Sequence, residues 1–105
     1  MNQDYPELQQ LLAGYFNQDW VEEHKNADDV IYFFISEVST ATLTKVQLEL
    51  TKLILTVQTE QELQNLLFTK IGCGYYYPNE WSDGKKWLRH LSSILKKAIT
   101  NQNHT

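Results

Sequence analysis

The sequence predicts an all-α fold, a compact single-domain bundle of about five helices. Apolar residues recur at helical spacing along most of the chain, and the polar breaks between them hold helix-capping residues. No repeat, linker or low-complexity tract divides the chain. With 105 residues, 42% of them hydrophobic, it can bury one core without disulfides or metals. The domain is expected over residues 4–100, followed by a polar tail at 101–105 that is expected to fray.

Pro6 suits a first helical turn, and Leu8, Leu11, Leu12, Tyr15 and Phe16 follow on one face, with a stop near Asn17. A polar stretch spans 17–26. The second helix is expected near Asn26 to Asp28, where a short polar side chain can accept end amides and Asp29 favours the positive helix end. Its Val30, Ile31, Phe33, Phe34, Ile35 and Val38 cover most of the circumference, predicting the central, most buried helix. STATLTKVQLELTKLILTV places Leu43, Val46, Leu50, Leu53, Ile54 and Val57 on one face. Its threonines and its ILTV end would suit a strand, but the helical period persists for four turns. Thr59-Glu60-Gln61-Glu62 is a capping-box pattern that opens the fourth helix, through Leu63, Leu66, Leu67 and Ile71 to Gly72, a left-handed terminator. The loop CGYYYPNEW precedes a last helix from near Ser82, carrying Trp87, Leu88, Leu91, Ile94, Leu95, Ala98 and Ile99.

Charge is unevenly spread. Residues 1–40 hold eight acids against Lys25, a net −7, while residues 41–105 hold five acids and eight bases, a net +3. An acidic half repels a phosphate backbone and attracts a basic protein, although a solvated acidic face is the plainer reading. Cys73 is the single cysteine, so no internal disulfide is possible; with no signal-peptide pattern, this points to a reducing cytosol. No apolar run is long enough to span a membrane.

Catalytic chemistry finds little support. His24, His90, His104 and Cys73 lack metal-ligand spacing, so no metal or other cofactor is expected. Cys73 and His90 form the one thiol–imidazole combination, but Cys73 follows a helix C-terminus, whose dipole raises a thiol pKa. A buried cysteine at a corner is the better account. Arg89 and His90 are adjacent and point to different faces, and the carboxylate pairs Glu22/Glu23 and Asp28/Asp29 do not converge on a helix. Lys85, Lys86, Arg89, Lys96 and Lys97 could touch nucleic acid, yet a sequence pI near 5.2 favours a solvated basic face. Recognition of a protein is what remains, through the aromatic and acidic segments Asn17–Asp29 and Cys73–Asp83. Tyr15, Phe16 and Trp87 belong in the core, whereas Tyr75, Tyr76 and Tyr77 cannot all face inward.

The stretches YPELQQLLAGYFNQDW and ADDVIYFFISEVS resemble the immunity proteins of bacterial contact-dependent growth inhibition systems. IGCGYYYPNEWSDGKKWLRHL, with its Gly-Cys, Tyr and Pro loop before Trp-Leu, resembles them too, so the likeness covers about residues 4–95. The Tyr-Phe-x-Gln-Asp-Trp element is its more specific part. Gly74 and the triple tyrosine depart from the family pattern, which implies a loop tuned to one partner.

This resemblance implies a non-enzymatic cytosolic inhibitor, without nucleic-acid, membrane or metal partners. It would bind, one to one, the C-terminal toxin domain delivered by a neighbouring cell's surface effector. Because each inhibitor must reject other toxins, shared motif residues are expected to be scaffold: Tyr15, Phe16, Gln18, Asp19 and Trp20, with Asp19 accepting backbone amides and Trp20 packing across helices. The expected toxin contacts are Glu22, Glu23, Asp28, Asp29, Tyr76, Tyr77 and Glu80. A helical adaptor for another basic partner is the alternative, and a Cys73/His90 thiol enzyme a remote one.

Overall fold

The computed structural model describes residues 4–102, and among these the chain forms six helices and no strand. Helix α1 (Pro6–Gln9) runs directly into a π-helical turn, Gln10–Tyr15. A short α2 follows (Trp20–Glu23), then α3 (Ala27–Glu37) and α4 (Thr40–Thr56). Helix α5 (Glu60–Gln64) also continues as a π-helical segment, Asn65–Ile71, and a single 3-10 turn at Tyr77–Asn79 precedes α6 (Gly84–Gln102).

Capping signals fall where local chemistry requires them. Asn26 accepts the amide of Asp29 at 2.8 Å, Ser39 that of Thr42 at 3.2 Å and Thr59 that of Glu62 at 3.1 Å. The capping box closes differently from its usual form, with the Thr59 hydroxyl donating to Glu62 Oε1 at 3.4 Å. Gly72, at φ +85°, adopts the left-handed terminator conformation predicted for it. Helix α1 has no local cap. Its end amides are met from α4 instead, where Glu49 Oε1 accepts Glu7 N–H at 3.0 Å and Leu8 N–H at 2.9 Å. The last helix begins at Gly84, two residues beyond the expected start, because Asp83 accepts the Lys86 amide at 2.9 Å. It continues to Gln102, so the polar tail is helical at its start; residues 103–105, including His104, lie outside the described region.

Helices α4 and α6 form the centre. Leu43, Val46, Leu50 and Leu53 meet Trp87, Leu88, Leu91 and Leu95, all fully buried, and α1 also packs on α4. Within this apolar contact Gln47 Nε2 donates to Ser92 Oγ at 2.8 Å. The expectation that α3 is the central helix is corrected. Val30, Ile31 and Phe34 are buried, but Tyr32 is 57% and Phe33 43% exposed. Phe33 sits at the rim against the rings of Tyr15 and His24, so apolar coverage around α3 marks an edge rather than a centre.

Candidate recognition surface

Phe16 to Trp20 makes the first corner. The Phe16 amide bonds Leu11 O at 3.0 Å, closing the π turn, and the chain then folds over Asn17. Asn17 Oδ1 accepts the Asp19 amide at 2.9 Å, its Nδ2 donates to Gly14 O at 3.1 Å, and its carbonyl takes the Trp20 amide at 3.0 Å. The polar brace of the corner is therefore Asn17. Asp19, assigned that role from sequence, precedes α2 without a side-chain cap bond, and both it and Gln18 are exposed.

The aromatic half of the motif packs into the fold. Phe16 is fully buried, in ring contact with Trp20, Tyr75 and Trp87. Trp20 packs edge-on against Phe16 and Tyr75 and donates its indole N–H to Gly74 O at 3.0 Å. Tyr15 lays its ring edge on Phe34 and donates its hydroxyl to Glu37 at 2.8 Å.

Gly74 itself donates to Leu12 O at 3.1 Å, and a Cβ there would lie 1.8 Å from Phe16 O. Its glycine is demanded by this backbone contact. Around it the chain is irregular, and burial alternates from residue to residue. Ile71, Cys73, Tyr75 and Tyr77 are buried; Gly72, Gly74 and Tyr76 are exposed.

The triple tyrosine therefore splits. Tyr76 is 58% exposed, resting on Phe68, whereas Tyr77 is completely buried between Phe68 and Trp87. Tyr77, expected among the toxin contacts, is a core residue. Its hydroxyl donates to Glu60 Oε2 at 2.5 Å, and Glu60 Oε1 accepts the Gly84 amide at 2.9 Å, tying α5 to the start of α6. Desolvation, reinforced by the Glu60 carboxylate, raises the Tyr77 phenol pKa; desolvation and Glu80 do the same for Tyr75.

The two segments singled out from sequence converge. Glu22 and Glu23 are exposed on α2, and Asp29 Oδ2 is 2.9 Å from His24 Nδ1. Asp28 reaches a different element, with both carboxylate oxygens 3.0 Å from His90 Nε2 on α6. Trp81 stacks obliquely on His90 at 5.1 Å, and Tyr75 donates its hydroxyl to Glu80 at 2.6 Å. Asp28, Tyr75, Glu80, Trp81 and His90 line one cleft of about 250 Å³. Trp81 and His90 were not among the expected contacts; Trp81 stood in the aromatic loop, but nothing local marks His90 as its neighbour.

Cys73 and His90 have separate partners. The buried thiol donates to Tyr75 O at 3.5 Å, and burial pushes its pKa up to about 12, so it is a poor nucleophile. Among the described residues no group of three or more His, Cys, Asp or Glu side chains could hold a metal ion, and no helix is long and apolar enough to cross a membrane. Lys86, Arg89, Lys96 and Lys97 are exposed on α6.

An all-helical domain with a rigid aromatic corner and an acidic, aromatic face has the composition of a protein-recognition module. The profile of the CdiI immunity protein family matches residues 4–95, and the chain belongs to that family. It is also similar to a chain in the crystal structure of the CdiA-CT/CdiI complex from Y. kristensenii 33638, with 34% identity and a TM-score of 0.86 over 91% of this chain and 97% of that one. Among curated proteins, none matches significantly.

Proposed function

We propose that this chain is a cytosolic immunity protein that neutralises the C-terminal toxin domain of a contact-dependent growth inhibition effector. It does so in a one-to-one complex, without catalysis of its own. The docking face comprises Glu22, Glu23, Asp28, Asp29, Tyr76 and Glu80. The observation that carries this reading is the convergence of the acidic segment and the tyrosine loop at the Asp28–Glu80–Trp81–His90 cleft.

The charge distribution supports a basic partner. A net −7 over residues 1–40 suits a basic surface, and a nuclease is basic where it holds phosphate. On this reading the toxin is a nuclease, and covering its phosphate site blocks it. Opposite fields also speed encounter, which an inhibitor needs when toxin arrives in a living cell.

Co-expression with the toxin domain encoded immediately upstream tests the proposal. Growth is rescued and the two proteins co-elute as a one-to-one complex; failure of either overturns the reading. Reversing Glu22, Glu23, Asp29 and Glu80 together to Lys slows association by about tenfold or more at low salt. An unchanged rate and salt dependence would exclude this face.

A further inference from the structure

Next to the acidic face, a groove of about 650 Å³ lies between α3 and α6, lined chiefly by Tyr32, Ile35, His90, Ile94, Lys97 and Ala98. His90, Ile94, Lys97 and Ala98 recur at helical spacing and so form one stripe on α6. The stripe is about 12 Å long at the α-helical rise, the reach of some four residues of extended chain. His90 also lines the cleft that holds Asp28 and Trp81, so the two depressions meet at one imidazole. The groove is thus apolar along Ile35, Ile94 and Ala98, carries Lys97, and adjoins the Asp28 carboxylate through His90.

We infer that this groove receives a segment of the toxin that seats an apolar side chain between Tyr32 and Ile94 and sets a lysine or arginine beside Asp28. The inference rests on the toxin-binding reading. Charge complementarity and continuity with the proposed face select this occupant. Asp28 keeps 43% of its side chain exposed, and a carboxylate has about four acceptor positions, so His90 Nε2 leaves room for a cationic donor. Tyr32 offers a large amphipathic surface that loses little rotamer freedom on binding. A second copy of this chain fits less well, because a two-fold pairing here brings Asp28, Asp29 and Glu80 towards their own equivalents.

A division of labour results. The exposed acids govern the approach, and the groove governs how long the complex lasts. Tyr32 and Ile94 are then specificity-determining residues, since the shape of the seated side chain differs between toxins.

Binding of the purified toxin domain to Tyr32→Ala and Ala98→Glu, followed in real time, tests this. Each variant is expected to dissociate at least tenfold faster, with its association rate within about twofold of the parent, the pattern of a lost interface anchor. Should Ala98→Glu fail to fold, Tyr32→Ala, at an exposed position, decides alone. A parent that binds and variants that dissociate like it would overturn the groove and leave the toxin-binding reading intact. A parent that does not bind the toxin overturns both. A concentration-dependent dimer of the parent that Ala98→Glu abolishes overturns the inference by giving the groove to a second copy.

Discussion

Trp20 and Gly74, fifty-four residues apart in the chain, are joined by an indole N–H donated to the glycine carbonyl at 3.0 Å. With the Gly74 amide on Leu12 O and the Phe16 carbonyl against its Cα, this bond locks the first corner to the tyrosine loop. Gly74→Ala drives a methyl into backbone rather than into a yielding side chain. It is expected to cost about 3 kcal/mol or more. Gly14→Ala serves as control: a Cβ there meets nothing within 4 Å, and removing backbone freedom from a helical glycine stabilises by about 0.5–1 kcal/mol. Thermal melts of the two variants should shift in opposite directions.

The tyrosines separate stability from binding. Tyr77→Ala empties a fully buried aromatic position and is expected to cost about 3–5 kcal/mol. Tyr77→Phe isolates the hydroxyl bonded to Glu60, at about 1–2 kcal/mol. Tyr76→Ala, exposed on Phe68, is expected to cost about 1 kcal/mol or less while weakening toxin binding. Denaturant midpoints and toxin affinity, measured on the same three proteins, check both halves.

Glu49 acts as a cap supplied by another helix. Glu49→Gln keeps an acceptor oxygen but loses the charge that favours the positive end of α1, whereas Glu49→Ala strands two amides. A loss of about 1–2 kcal/mol is expected for Ala, and less for Gln. Amide hydrogen exchange localises the effect, with protection falling first in α1.

Alkaline pH is expected to unfold the protein early. Cys73 is raised from 9.0 to about 12, and Tyr75 and Tyr77 are raised from 10.0. The unfolded chain releases these protons first, so the folded state holds more protons and stability falls with rising pH. The stabilisation from these groups is complete below pH 9 and declines from there towards pH 12. Melting temperatures across this range, read beside the tyrosinate absorbance band, should show the ionisation of Tyr75 and Tyr77 only with unfolding. A stability that stays flat or rises would contradict their burial.

How much was legible depends on how far each cause reaches. Asn26, Thr59 and Gly72 act within a few residues, so the helix boundaries they set can be read from the sequence. Tyr75, Tyr76 and Tyr77 had to divide between core and surface, but the phase was decided by Gly74 docking on Phe16, a contact no local pattern announces. Asp28–His90 spans 62 residues and Glu7–Glu49 spans 42, so both roles appear only when the helices pack. The four-residue α2 was hidden by its polar surroundings, and the two π turns by the same apolar spacing that marks an ordinary helix. The family likeness was legible because Tyr15 to Trp20 is one contiguous run, whose Phe16 and Trp20 are held by ring contacts.

The alternation from Ile71 to Tyr77 has one more effect. Both ends of the run are anchored, by Gly72 at the helix stop and by Tyr77 on Glu60. Replacing Tyr76 alters one outward position. Adding or deleting a single residue between Gly72 and Tyr77 changes the span between the two anchors and pulls Tyr77 from its place between Phe68 and Trp87. Tyr76 is the outward position open to change, whereas Gly72, Gly74 and the spacing between the two anchors are fixed.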